Sequence, residues 1–203
     1  MTFAKEVAPR RYPFAMVGLH WLRAVLVLGL IALGWWMTAL PDADPIKFAL
    51  YPVHKQMGVT VFIIAVIALI VRGRSTYPGE PRGLSRWEAT LSRMIHRALL
   101  VLTVIVPLTG YAMSSSYIDS DGVPFLFMAL PELLPKSNAG FAVFQWLHRV
   151  LAYTLLGLAL LHVIGALKHR LSDRGGETDV LERMTGRPPP RRPSFPLFQR
   201  PTP

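Results

Sequence analysis

The sequence contains no cysteine, and this absence removes several kinds of site from consideration. It excludes disulfides, iron–sulfur clusters, thiolate-ligated haem, haem attached through a Cys-x-x-Cys-His motif and zinc sites built from cysteine. Any metal or cofactor must therefore be held by histidine, methionine, tyrosine or carboxylate side chains.

Charged residues are also scarce. Only 17% of the 203 residues are charged, against about 25% in soluble domains, while 52% are hydrophobic. The mean hydropathy is +0.36, and the apolar residues gather into a few long runs. This composition argues against a soluble globule and indicates a membrane protein.

The formal net charge of +10 would suggest nucleic-acid binding in a soluble chain. Here the basic residues lie between and after the apolar runs, where topology signals lie in membrane proteins. We therefore expect the protein to lie in a lipid bilayer and to bind no nucleic acid.

Four windows are long and apolar enough to cross a bilayer, which takes about 20 residues each. They cover residues 14–40, 48–71, 91–113 and 141–171. We predict an all-α membrane protein, a bundle of four transmembrane helices within a membrane domain of residues 1–187. The Pro/Arg-rich tail 188–203 is too rich in proline and arginine to pack, and we expect it to be disordered.

Lysine and arginine are distributed unevenly around these windows. They crowd before the first window, between the second and third, and after the fourth. The loop after the first window has only Lys47, and the loop after the third has only Lys136. The positive-inside rule then predicts that both termini are cytoplasmic.

All six histidines lie in or at the ends of the predicted spans: His20, His54, His96, His148, His162 and His169. Ionisable side chains are costly inside a bilayer and usually face the bundle interior, so each is a candidate functional residue. The alternative for any one of them is a structural histidine that hydrogen-bonds a neighbouring helix or lies at the headgroups.

Depth groups four of these histidines into two pairs. His20 and His162 lie about two turns from the cytoplasmic ends of their spans, whereas His54 and His148 lie early in spans that begin outside. Fourteen residues separate His148 from His162, about 21 Å or close to four turns, so both project from one face of one helix. Two facing imidazoles fit the axial ligation of a haem b iron. Zinc ordinarily takes three or four ligands, and neither level adds a carboxylate.

Short motifs surround these histidines: Gly18-Leu-His20-Trp-Leu, Val53-His54-Lys-Gln-Met-Gly, Met94-Ile-His96-Arg, and Trp146-Leu-His148-Arg followed by His162. On them the chain resembles the bacterial cytochrome b561 family over about residues 10–187, and within it the small quinone-linked members typified by superoxide oxidase. The resemblance implies two b haems, bound by His20 with His162 and by His54 with His148. It also implies electron exchange with a membrane quinone and a place in the bacterial inner (cytoplasmic) membrane.

The leading functional hypothesis is a superoxide:ubiquinone oxidoreductase, an enzyme of the superoxide oxidase type that takes electrons from superoxide at the outer haem and reduces ubiquinone. The alternative is a haem b membrane anchor that passes electrons between quinone and a partner dehydrogenase, hydrogenase or reductase subunit. A third class is a cofactor-free proton or metal transporter that uses the histidines as ligands.

The remaining candidates lie at the two membrane boundaries. His96 and His169, on the cytoplasmic side, are candidates to bind quinone and relay its protons, with ordinary interfacial histidines as the alternative. At the outer mouth Lys55 and Arg149 each follow a predicted haem ligand, and Lys47 lies on the adjoining loop. Basic residues are sparse on this face, so Lys55 and Arg149 are candidates to steer an anion such as superoxide. Pairing with haem propionates is the competing explanation.

Overall fold

Four long helices make up most of the computed structural model, which describes residues 12–76, 78–81, 83–120, 122–173 and 178–185. They are α1 (Phe14–Ala39), α2 (Pro45–Arg74), α3 (Arg86–Ser116) and α4 (Asn138–Ser172). An antiparallel hairpin of β1 (Val123–Phe125) and β2 (Met128–Leu130) lies between α3 and α4, and α5 (Leu181–Thr185) follows α4. All four long helices are apolar and long enough to cross a membrane. The predicted four-helix all-α membrane fold is confirmed.

Helices α2 and α3 begin before the apolar windows from which they were predicted, because polar caps precede those windows. The Asp44 carboxylate accepts a hydrogen bond from the Ile46 amide at 2.8 Å. Ser85 and Glu88 form a reciprocal capping box at the start of α3. Such caps satisfy amide groups that have no partner in the first turn, so each helix can start in the polar region.

A small apolar cluster lies in the middle of the bundle, with at least one residue from each long helix: Val27, Val61, Leu102, Val106 and Leu155. Leu155 lies seven residues from both His148 and His162 along α4, so the cluster separates the two histidine levels. Many other large apolar side chains are exposed, including Val25, Leu160 and Ile164. Lipid would cover such surfaces, because hydrocarbon chains are as apolar as the side chains themselves.

The two ends of the bundle differ. We call the end at which α1 begins and α4 ends the terminal end, and the opposite end the hairpin end. At the hairpin end two hydrogen bonds connect the segment between α3 and α4 to helix α3. The Leu134 amide donates to Ser115 Oγ at 3.0 Å, and the Tyr111 hydroxyl donates to the Pro131 carbonyl. The sequence indicated only a loop over residues 114–140 that prolines divide into short pieces, and it did not predict the hairpin.

At the terminal end, residues 178–185 fold back onto the bundle. Arg170 on α4 pairs with Asp179 at 2.5 Å and with Glu182 at 3.0 Å. The amide and hydroxyl of Thr178 donate to Asp173, and these hydrogen bonds hold the pKa of the Asp173 carboxyl below its ordinary value. The tail 188–203, which we expect to be disordered, lies outside the described residues.

Candidate functional site

At the hairpin end, His54 on α2 faces His148 on α4. Their ring centroids are 6.3 Å apart, with the two planes at 83°. A metal–imidazole bond of about 2.0 Å puts each ring centre roughly 3 Å from the metal, so two imidazoles on opposite sides of one iron have centres about 6 Å apart. The separation of these rings therefore fits a shared iron.

The orientation of His148 is fixed by helix α3. Its Nδ1 atom lies 3.0 Å from the Val106 carbonyl oxygen and 3.3 Å from Thr109 Oγ1. Because a carbonyl oxygen only accepts, Nδ1 carries the proton in this hydrogen bond. The lone pair is then on Nε2, which is the arrangement that a metal-binding histidine needs.

The environment of His54 is different. Its Nδ1 atom is buried and has no hydrogen-bond partner among the described residues. A buried polar atom without a partner is costly, and functional groups account for many such cases. Both rings of this pair also pack against glycine, Gly34 beside His54 and Gly110 beside His148. The fold therefore holds both imidazoles close to neighbouring backbone and leaves His54 Nδ1 without a partner among these residues.

At the terminal end, His20 on α1 faces His162 on α4. Their ring centroids are 6.1 Å apart, with the planes at 65°. This separation also fits two imidazoles on one iron. The structure thus brings together both pairs that depth in the sequence had grouped, one on each side of the central apolar cluster.

A third histidine lies at the terminal level. The His96 ring centroid is 4.9 Å from that of His162, and His96 Nδ1 lies 2.7 Å from the Ser92 carbonyl oxygen. The sequence placed His96 at the opening of its span, near the membrane boundary. Helix α3 in fact begins at Arg86, so His96 lies almost three turns inside it. The capping box at Ser85 was the sequence signal for this earlier helix start.

His169 lies elsewhere, at the rim of the terminal end. Its Nε2 atom is 3.9 Å from Glu88 Oε1, and Lys168 pairs with the same carboxylate at 2.6 Å. His169 is seven residues beyond His162, about 10 Å along α4. The two candidate quinone residues therefore lie at different depths, with His96 the closer to the predicted ligand pair.

Three of the basic residues at the hairpin end, Lys47, Lys55 and Arg149, are not equivalent. Lys47 pairs with Asp42 at 2.7 Å, and this hydrogen bond lowers the pKa of the Asp42 carboxyl. Lys55 is half-buried and Arg149 is exposed. Asp42 offsets the charge of Lys47, and Lys55 and Arg149 each directly follow one of the two histidines along its helix.

Direct metal binding has less support than haem binding. Over the ranges that the structure describes, no group of three or more histidine, aspartate or glutamate side chains is arranged to hold a metal ion. Zinc sites usually need that number of protein ligands, whereas a haem iron needs only two. The donor set therefore favours haem over a protein-bound metal ion.

Comparisons with known proteins identify the family. The family model described as prokaryotic cytochrome b561 matches residues 11–187. The chain is also 31% identical over 182 residues to the Escherichia coli (strain K12) protein named cytochrome b561 homolog 2, and the alignment covers 88% of this chain and 93% of that protein. The chain belongs to the prokaryotic cytochrome b561 family, whose members are membrane electron-transfer proteins that bind haem b.

Proposed function

We propose that this protein is a di-haem cytochrome of the superoxide oxidase type, which transfers electrons from superoxide at the hairpin end to ubiquinone at the terminal end. The observation that carries the proposal is the presence of two separate histidine pairs, with ring centroids 6.3 Å and 6.1 Å apart. A single pair would indicate one haem. Two pairs at opposite ends of the bundle favour a route for electrons from one membrane face to the other.

The proposed haem ligands are His54 with His148, and His20 with His162. When bound, each haem b supplies a one-electron iron centre. The protein positions the ligands: the Val106 carbonyl holds the His148 ring at 3.0 Å. Such a hydrogen bond also raises the basicity of the imidazole toward a metal.

The proposed orientation has the terminal end in the cytoplasm, with the protein in the bacterial inner membrane. The argument is the excess of lysine and arginine in the segments at that end. The hairpin end then faces away from the cytoplasm. Residues that meet an external electron donor are therefore those beside His54 and His148.

Superoxide is a small anion, and the hairpin end offers few cations to attract it. Lys55 and Arg149 each adjoin a proposed ligand on its helix, whereas the Lys47 charge is offset by Asp42. A local positive charge raises the concentration of an anion at a site and its rate of arrival. Lys55 and Arg149 are the residues we assign to this steering role.

Ubiquinone would react at the terminal end. Two superoxide anions each lose one electron and become dioxygen, while one ubiquinone gains two electrons and two protons and becomes ubiquinol. His96 adjoins the His20–His162 pair, and its Nδ1 is hydrogen-bonded to Ser92. Its Nε2 is the ring nitrogen that remains to contact a quinone oxygen. His169 lies further out, on the path that protons from water would take.

The test has two stages. The absorption spectrum and haem content of the purified protein should show two low-spin haem b per chain. Superoxide generated in the presence of a short-chain ubiquinone should then yield ubiquinol, in an amount set by the two-to-one stoichiometry. A protein that contains both haems but reduces quinone only with a soluble redox subunit would instead be an electron-transfer anchor.

A further inference from the structure

Arg23 on α1 has a buried guanidinium nitrogen that lacks a partner among the described residues. Its Nη1 atom is buried and makes no hydrogen bond to any of them. The ion pairs found across the described ranges also do not include Arg23. Arginine stays charged in proteins, and although Arg23 is only half-buried as a whole, burying part of its charge without a counter-charge is unfavourable. A partner from outside the described protein residues would remove this penalty.

The charge that acts on Arg23 from a neighbouring helix has the same sign and cannot be that partner. Arg72 on α2 lies close enough for its positive charge to act on Arg23. Arg23 in turn acts on His20, which lies three residues earlier on α1. Repulsion from Arg72 adds to the cost of burying Arg23. An anion beside these two arginines would offset both penalties.

We infer that Arg23 binds a carboxylate of the haem held by His20 and His162. Residues three apart on a helix share a face, so Arg23 lies one turn from His20 on the side that faces the pair. Haem b carries two propionate carboxylates, and the planar guanidinium matches a carboxylate with two parallel hydrogen bonds. The inference rests on the proposed haem assignment at this level. A lipid phosphate has similar chemistry, but the burial of Nη1 favours a partner inside the bundle.

Redox potentiometry of the holoprotein is the first test. Removing a positive charge beside a haem favours the ferric form, so Arg23→Gln should lower the midpoint potential of the His20–His162 haem. We expect roughly a tenfold change in the ratio of reduced to oxidised haem at a fixed potential, or about 59 mV for one electron. Arg23→Lys should give a smaller shift. The control is Arg93→Gln, which removes an exposed arginine paired with Glu80 at the same end. This variant should leave the midpoint potentials of both haems unchanged.

Infrared spectroscopy separates a haem carboxylate from a lipid phosphate. Haem labelled with ¹³C at the propionate carboxyls gives redox difference bands that belong to those groups alone. In Arg23→Gln these labelled bands should shift relative to the wild type, and in Arg93→Gln they should not. If Arg23→Gln fails to fold, Arg23→Lys serves, since it keeps the charge and loses the two parallel hydrogen bonds.

Unchanged labelled bands in a folded Arg23 variant would overturn the inference. Phosphate bands that respond to replacing anionic lipid with neutral lipid would then identify a lipid as the partner. Failure of the proposed function would appear in different measurements from failure of this inference. A wild-type protein without two haems fails before any arginine variant is made, whereas a di-haem protein that does not react with superoxide still permits the infrared test.

Discussion

The imidazole of His148 lies directly against Gly110: a Cβ atom at position 110 would lie 3.0 Å from Cε1 and 3.2 Å from Nδ1 of the ring. Contacts this short are tighter than most real Cβ contacts, so the ring would have to give by a few tenths of an ångström. Gly110 therefore allows α3 to approach α4 at this level. The same approach brings the Val106 carbonyl within 3.0 Å of His148 Nδ1.

Gly110→Ala should impair the His54–His148 site selectively. Alanine favours a helix over glycine, but here the added methyl group displaces the His148 ring, and overpacking of this kind costs about 1–3 kcal/mol. We expect a fraction of the protein to lose one haem, as measured by haem content. The matched control is Gly29→Ala on α1, where a Cβ meets nothing within 4 Å. Full haem content in both variants would show that His148 does not need its present position.

Replacing one ligand should remove one haem. An iron with a single imidazole loses about half of its protein anchoring, so His20→Ala, His54→Ala, His148→Ala and His162→Ala should each retain close to one equivalent. The pyridine haemochrome assay gives the content, and redox titration shows which haem remains. Two full equivalents of low-spin haem in His54→Ala would disprove the pairing at the hairpin end.

His96→Ala should keep both haems and slow quinone reduction. General acid–base groups contribute about 10²-fold or more, so loss of the residue that contacts the quinone oxygen should lower the rate by at least roughly tenfold. Superoxide-driven haem reduction in stopped flow should stay near the wild-type rate, because we assign that step to the hairpin end. A haem-deficient His96→Ala protein would mean that His96, which lies 4.9 Å from His162, is itself a ligand.

Replacing the cations Lys55 and Arg149 at the hairpin end should slow haem reduction by superoxide and leave haem reduction by a neutral donor nearly unchanged. Lys55→Gln and Arg149→Gln should slow haem reduction by superoxide, and added salt should do the same to the wild type, since screening acts over about 8–10 Å. Lys47→Gln is a useful comparison, because Asp42 already offsets that charge. Equal slowing with a neutral chemical donor would instead indicate that Lys55 and Arg149 support the haem propionates.

The sequence was sufficient for the helices and for the grouping of four histidines, because both depend on patterns that extend over whole spans. The length of each apolar run predicts a helix. The distance of a residue from the end of its run predicts its depth, and this distance alone places His20 and His162 at the same level. That these residues ligate iron stays a prediction. The contact of His96 with His162 was not predicted, because it depends on how α3 packs against α4.

Other features could not be predicted from the sequence, since they depend on how helices meet. The hairpin has three-residue strands, too short for an alternating pattern to show. The approach of Gly110 to His148 is a contact between two different helices, and sequence spacing does not reveal it. Arg23 is a single charge within an apolar run, and only the packed bundle shows that its Nη1 is buried without a partner among the described residues.

Helix α4 runs unbroken from Asn138 to Ser172 and carries one histidine of each pair. An insertion of one residue between His148 and His162 would rotate one of them by about 100° relative to the other, away from the bundle interior. A deletion would do the same in the opposite sense. We therefore expect this interval to tolerate many substitutions on its lipid-facing side, whereas an insertion or deletion of one or two residues should disrupt one of the two histidine pairs. The spacing of the two histidines then matters more than the identity of most residues between them.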